Sequence, residues 1–278
     1  MDANLQRRVQ RYGWDKAVSN YERSWHAQLE PAQTALLELA NITPRDCILD
    51  VACGTGLVTI RAAAVVDPEC EIVGTDISEQ MVAAARLAAR VRGATNARFE
   101  RMDAEDLKFA EESFDAVLCA LGLMYLPEPE KALREFHRIL RPGGRAVAAV
   151  WGQRNRCGWA EIFSIVDARV QSDVCPMFFR LGTGDGLQHA FVAAGFTNTS
   201  ARRLDTHLHY ASAEEACVAA FAGGPVGLAY SRFSDDVKQQ AHTEYLLSLE
   251  PYRRGKAYAV PGEFVVVAGI KGAAVQSK

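Results

Sequence analysis

Cys47-Ile48-Leu49-Asp50-Val51-Ala52-Cys53-Gly54-Thr55-Gly56 is the stretch that decides the fold. Its first half is a short apolar run, read as a buried strand. It enters a turn at Gly54-Thr55-Gly56, and residues 57–66 carry the pattern of a helix. Glycines at such a turn let the backbone take positive φ and approach a ligand closely. The helix that the turn opens has free N–H groups, which favour an anionic or polar ligand group. A Gly-x-Gly turn alone is weak evidence, because a tight βα turn without any ligand looks the same.

The rhythm repeats outward from this turn. Residues 71–75, 97–101, 114–120 and 145–151 read as strands. Residues 78–92 read as a helix with Ser78 as N-cap, and 129–140 as another. Arg141-Pro142-Gly143-Gly144 is a turn. Alternation at this interval implies βαβ units and a parallel sheet, doubly wound because crossovers are right-handed. A ligand then sits beyond the carboxyl ends of the strands, at the topological switch point. Upstream, residues 13–29 form a helix with Trp14, Tyr21 and Trp25 on one face. Pro31 opens a second helix over 31–41. Downstream of Trp151, residues 157–200 are mostly helical and rich in Phe, Cys and Met, and 204–210 alternate like a strand. Residues 214–221 form a helix broken by Gly223-Gly224-Pro225, and 264–270 a final strand.

Composition narrows the class. The chain has 278 residues, 49% hydrophobic and 23% charged, which fits one large soluble α/β domain. A net charge of -3 with a pI near 6.1 lacks the basic surplus of a nucleic-acid-binding surface, so no nucleic-acid partner is expected. The pairs Arg7-Arg8, Arg202-Arg203 and Arg253-Arg254 read as solvated surface. Seven cysteines (47, 53, 70, 119, 157, 175 and 217), with no C-x-x-C, argue against zinc and against a disulfide framework. Reduced thiols suit a cytoplasmic protein. No signal pattern opens the chain and no apolar run is long enough for a membrane span.

Asp76 tightens the reading of the site. It ends the second strand, twenty positions after Gly56, where a carboxylate can accept both ribose hydroxyls of a bound nucleoside. Nicotinamide dinucleotides and S-adenosylmethionine (SAM) share that arrangement. The dinucleotide fingerprint needs a third glycine, and here that position is Thr59. The oxidoreductase reading is thereby disfavoured, and a ligand with an amino-acid end in place of a pyrophosphate fits better. Asp103, after the third strand, can accept from an adenine amine while the Ala104 N–H donates to a ring nitrogen. Glu105 and Asp106 read equally well as a solvated acidic loop.

Five segments in order then resemble class I SAM-dependent methyltransferases. They are Ile48 to Gly56, Gly74-Thr75-Asp76-Ile77-Ser78, Arg101 to Leu107, Ser113 to Cys119, and Ile139 to Arg145. The resemblance covers roughly 43–151 and is nearest to the ubiquinone/menaquinone-biosynthesis C-methyltransferase group. It implies an α/β fold with a doubly wound, mostly parallel seven-stranded sheet of the Rossmann-like kind. The whole chain would be one domain: a helical cap (1–42), a SAM-binding core (43–151), a lid insertion (152–200), and sheet completion with the substrate side (201–272). It further implies SAM as cofactor. Gly54, Thr55 and Gly56 would face its methionine end, with Asp50 ordering the turn and Ala52 standing where relatives usually carry a glycine. Asp76 would hold the ribose, Ile77 and Met81 pack on the adenine, Asp103 and Ala104 bind its edge, and Ala120 and Leu121 give backbone contacts to the amine. Many relatives carry a histidine where this chain has Met124-Tyr125.

Methyl transfer from a sulfonium is an in-line displacement in which the protein mainly supplies position and electrostatics. A base is needed only for a nucleophile with a proton of unfavourable pKa. Tyr125 and His207 are the candidates for catalysis, with His209 and His26 behind them. Trp14, Tyr21 and Trp25 would cap the pocket, Tyr21 and Trp25 also touching cofactor, since an aromatic face stabilises a nearby cation. Met124, Tyr125, Trp151, Phe178 and Phe179 would join Trp14 and Tyr21 around a small, apolar or aromatic substrate. Arg154 and Arg156 could meet a substrate carboxylate. No metal is expected, and the chain would act as a monomer or homodimer. The rival readings are a SAM-binding protein with an RNA or protein acceptor, and one with no catalytic role.

Overall fold

The computed structural model describes residues 3–170, 178–224 and 226–273. Cys175, Pro225, the middle of the expected lid and the tail at 276–278 lie outside them. The central sheet runs in the order β3 (Ala97–Arg101), β2 (Ile72–Asp76), β1 (Ile48–Val51), β4 (Phe114–Ala120), β5 (Leu140–Trp151), β8 (Ala257–Lys271) and β6 (Phe196–Tyr210). The two-residue β7 (Arg253–Arg254) pairs with β8 off this path. The first five strands are parallel and β8 is antiparallel to both neighbours. All four residues of β1 are buried, as a parallel strand covered on both faces must be. The chain leaves β1 towards β2 and β3, then returns to its other side with β4, so the switch point lies between β1 and β4.

Helices α2 (Leu57–Ala63), α3 (Glu79–Val91) and α4 (Pro129–Ile139) follow β1, β2 and β4 as the sequence predicts, and α5 (Glu161–Asp167) opens the less regular half. Ser78 caps α3 by accepting the Met81 N–H at 3.1 Å. The turn expected at 141–144 is a bulge within β5, whose partner jumps from Phe114↔Leu140 to Ala116↔Arg145. Gly143 takes φ +82° there.

Three further expectations differ. Helix α1 is a single helix, Ala3–Ala40, rather than two meeting at Pro31. Proline inside a helix costs about 3 kcal/mol. The same α1 face buries Trp25, Leu29, Ala32 and Leu36 against the core, and each large apolar side chain buried contributes about 1.5–3 kcal/mol, which outweighs the proline. Strand β6 begins at Phe196, inside the stretch expected to be helical. It is an edge strand with both faces of its first half largely exposed, so no apolar alternation marks it. Strand β8 begins at Ala257 and runs through Pro261-Gly262. Its pairing with β5 starts only at Phe264, so Pro261 sits where β8 has a neighbour on one side and needs no second ladder bond.

Candidate cofactor and substrate site

The carboxyl ends of the parallel strands form the floor of a cavity, and α1 forms its roof. Ala52 and Gly54 follow β1, Asp76 ends β2, Ala120 ends β4 with Leu121 and Gly122 after it, and Trp151 ends β5. Two floor residues, Ala52 at φ +55° and Leu121 at φ +64°, hold left-handed backbone without being glycine. Such conformations cost about 1–2 kcal/mol per residue and persist where surrounding structure imposes them. Here the β1 and β4 ends come so close that a Cβ on Gly122 would stand 2.5 Å from that of Ala52.

Asp50, 1% exposed, lies beneath the floor. One oxygen accepts the Thr59 hydroxyl at 2.6 Å and the other has no partner among the described residues. Burial pushes its pKa up to about 7, against the pull of its Thr59 hydrogen bonds. Asp76 accepts the Gly54 N–H on one oxygen and the Ser78 N–H on the other, each at 2.9 Å. Burial pushes it up to about 6, those backbone bonds holding it down in part. A carboxylate has about four acceptor positions, so each Asp76 oxygen retains one for a ligand. The Cys119 thiol is pushed up to about 12 by burial and stays protonated.

Asp103 accepts the Glu105 N–H at 2.9 Å and meets Arg7 of α1 at 3.2 Å. Arg7, read from the sequence as solvated surface, is therefore corrected: its side chain is only 20% exposed and also pairs with Glu105. Glu105 is 1% exposed and takes the Glu128 N–H at 2.6 Å on its other oxygen. A buried carboxylate without such partners would be strongly unfavourable. Of that loop only Asp106 is solvated, beside Lys108.

The aromatic stripe of α1 faces the cavity. Trp14 meets Tyr21 at 5.7 Å and Tyr125 at 5.1 Å between ring centroids. The Tyr21 ring stands 3.7 Å from where a Gly54 Cβ would be. Burial first, then Asp76 and Asp50, pushes the Tyr21 phenol well up. Burial and the neighbouring Tyr21 do the same for Tyr125. Both phenols therefore stay protonated at neutral pH and can donate hydrogen bonds but not take protons.

The cavity brings together Trp14, Tyr21, Trp25, Ala52, Gly54, Asp76, Ile77, Met81, Asp103, Ala120, Leu121, Met124, Tyr125 and Trp151 of the residues singled out from sequence. It does not bring in Thr55, Gly56 or Ala104. The Gly56 α-carbon instead packs against Phe99 and Ala85, where a Cβ would come within 3.1–3.2 Å, and its φ of +83° opens α2. Phe178 and Phe179 lie behind the wall, Phe178 meeting Tyr125 at 5.3 Å. His207, the other residue expected to act in catalysis, is exposed on edge strand β6 and does not line the cavity. The alternation that placed it on a strand was sound, but that strand is the outermost of the sheet. Arg154 and Arg156 lie outside the lining too, Arg154 bonding Ser164 at 2.7 Å.

Sequence reading missed Arg7, Gln10, Leu29, Gly122, Leu126, Pro127, Trp159 and Gly224 among the lining residues. The first three were within reach, because steps of 3, 4, 7, 4 and 4 from Arg7 through Gln10, Trp14, Tyr21 and Trp25 to Leu29 continue one helix face. Nothing local marks Trp159 or Gly224.

Residues 48–144 match the family described as a methyltransferase domain. Demethylmenaquinone methyltransferase of Geobacillus kaustophilus is 30% identical over 168 residues, 59% of this chain and 71% of that protein. The chain belongs to the class I SAM-dependent methyltransferases. The ubiquinone/menaquinone biosynthesis C-methyltransferase UbiE of Ectopseudomonas mendocina is 40% identical over 110 residues, covering 39% of this chain and 43% of that one. Demethylmenaquinone methyltransferase of Listeria welshimeri is 32% identical over 46% of this chain and 54% of its own length, so the chain spans about half the length of these two relatives. The YcgJ protein of Bacillus subtilis shares this fold at a TM-score of 0.63 with 18% identity, covering 87% of this chain and 99% of that one. The residues at this site suit SAM: free acceptor positions on Asp76, an unpartnered buried oxygen on Asp50, apolar Ile77 and Met81, and aromatic rings over the turn. None of its described helices is long and apolar enough to cross a membrane, and no described cluster of His, Cys, Asp or Glu could hold a metal.

Proposed function

We propose that this chain transfers a methyl group from SAM to a small, apolar or aromatic acceptor held under α1, chiefly by position. One observation carries the reading: a single cavity has the Asp76 and Asp103 carboxylates at one end and Trp25, Trp151 and Trp159 at the other. SAM, when bound, supplies an electrophilic methyl on a sulfonium. Asp76 would accept the ribose hydroxyls, Asp103 the adenine amine with Arg7 closing over it, and Ile77 and Met81 would flank the base. The turn at Gly54 and the backbone of Ala120 and Leu121 would receive the methionine end, with Asp50 beneath.

The substrate end is lined by Tyr21, Trp25, Leu29, Met124, Tyr125, Trp151 and Trp159 and, among the described residues, carries no ionisable group other than the two phenols. A charged acceptor would lose hydration there without compensation. Tyr125 and Tyr21 stay protonated, so neither serves as a base. Their hydroxyls and rings orient the acceptor and face the cation, while α1 excludes water. Residues 3–40 act as the cap of a single domain built on the 43–151 core, with the remainder completing the sheet and the substrate wall. The test is incubation of protein with methyl-labelled SAM and cell extract. Label in an apolar metabolite is expected; label in RNA or protein alone would overturn the acceptor class, and no label anywhere would overturn the enzyme reading.

A further inference from the structure

Trp159 stands on the aromatic wall of the cavity and is 4% exposed. Its ring packs against other rings on several sides: Trp151 at 4.8 Å, Phe178 at 5.7 Å, Phe179 at 5.8 Å, Phe163 at 5.9 Å and Trp25 at 6.4 Å. Its indole N–H has no hydrogen-bond partner among the described residues. The neighbouring Trp25 offers the contrast, since its N–H donates to the Gly223 carbonyl at 2.9 Å. Buried tryptophan nitrogens usually find an acceptor, and an unmet donor in an apolar enclosure is unfavourable. A phenylalanine would fill the same wall without leaving a donor unmet.

We infer that Trp159 is a specificity-determining residue whose N–H donates to a neutral oxygen of the bound acceptor molecule. This rests on the reading that the aromatic end of the cavity takes the methyl acceptor. The inferred ligand is a flat, apolar molecule bearing a carbonyl, ether or hydroxyl oxygen directed at Trp159. An isostere lacking that oxygen leaves the N–H unmet and binds at least about tenfold more weakly.

The four indole N–H groups give four signals in protein labelled with nitrogen-15 tryptophan, and Trp159→Phe identifies the one from Trp159. Acetophenone and α-methylstyrene are the probes, nearly identical in shape but with a methylene replacing the carbonyl oxygen. Acetophenone is expected to move the Trp159 signal downfield and to bind at least tenfold more tightly than α-methylstyrene, with the Trp25 signal much less affected. In Trp159→Phe the two probes should bind alike. Equal shifts from both probes, no binding of either by the wild type, or a preference that survives Trp159→Phe would overturn the inference. The probes need no cofactor, so this result stays legible even if SAM fails to bind, and calorimetry with SAM reports that separately.

Discussion

Thr59→Val removes one hydroxyl from beneath the cavity floor while keeping the side chain's shape. Thr59 is fully buried and donates to Asp50 at 2.6 Å, and the other Asp50 oxygen has no partner. The side-chain bond is therefore a large part of what compensates a buried carboxylate whose pKa stands near 7. Above pH 7 Asp50 is mostly ionised and the bond is charge-assisted, worth about 1.5–3 kcal/mol. Well below pH 7 the carboxyl is protonated and the bond is a neutral one worth about 0.5–1.5 kcal/mol. The substitution should thus destabilise the protein by about 2–3 kcal/mol at pH 8 and about 1 kcal/mol at pH 5.5. Urea unfolding of both proteins at the two pH values measures the difference. The same loss at both, or a larger one at pH 5.5, would refute the ionised Asp50–Thr59 bond.

Asp76→Asn keeps an acceptor for one backbone N–H but loses charge, and two charge-assisted bonds at ~1.5–3 kcal/mol each predict SAM affinity lower by a factor of about 10²–10⁴ in calorimetry. For Asp50 the native pKa is raised, so the native state holds a proton that the unfolded chain releases from about pH 4 upward. Stability relative to Asp50→Asn should then fall as pH rises from about 4 to 7, by up to ~4 kcal/mol, and level off above; denaturation midpoints across that range check it. Arg7→Met strands the buried Glu105 carboxylate and should destabilise by about 3 kcal/mol, an unchanged unfolding midpoint being the contrary result. His207→Ala, on the exposed edge, should change stability by less than about 0.5 kcal/mol and leave methyl transfer unaffected.

The parallel half of the sheet was legible because its signals are local: most of its strands carry a short apolar run closed by a turn residue, and Ser78 marks the start of its helix. The order of the motifs also placed Asp76 and Asp103 on one cavity. What escaped was set by tertiary contact. Pro31 looks like a helix boundary, and only packing on both sides of it keeps α1 continuous. Strand β6 has no buried face over its first half, so periodicity had nothing to report. Arg7 looked like one of several exposed arginine pairs because its partners Asp103 and Glu105 lie about a hundred residues away in sequence. Thr59 was read only as the absence of a glycine, and the structure shows it as the hydroxyl that holds Asp50.

Calorimetric titration of SAM into the wild-type protein, beside an identical titration of NAD, tests the central claim most directly. Saturable one-to-one binding of SAM that NAD does not reproduce is the expected result. Binding of NAD with equal or greater affinity, or no binding of SAM, would contradict it.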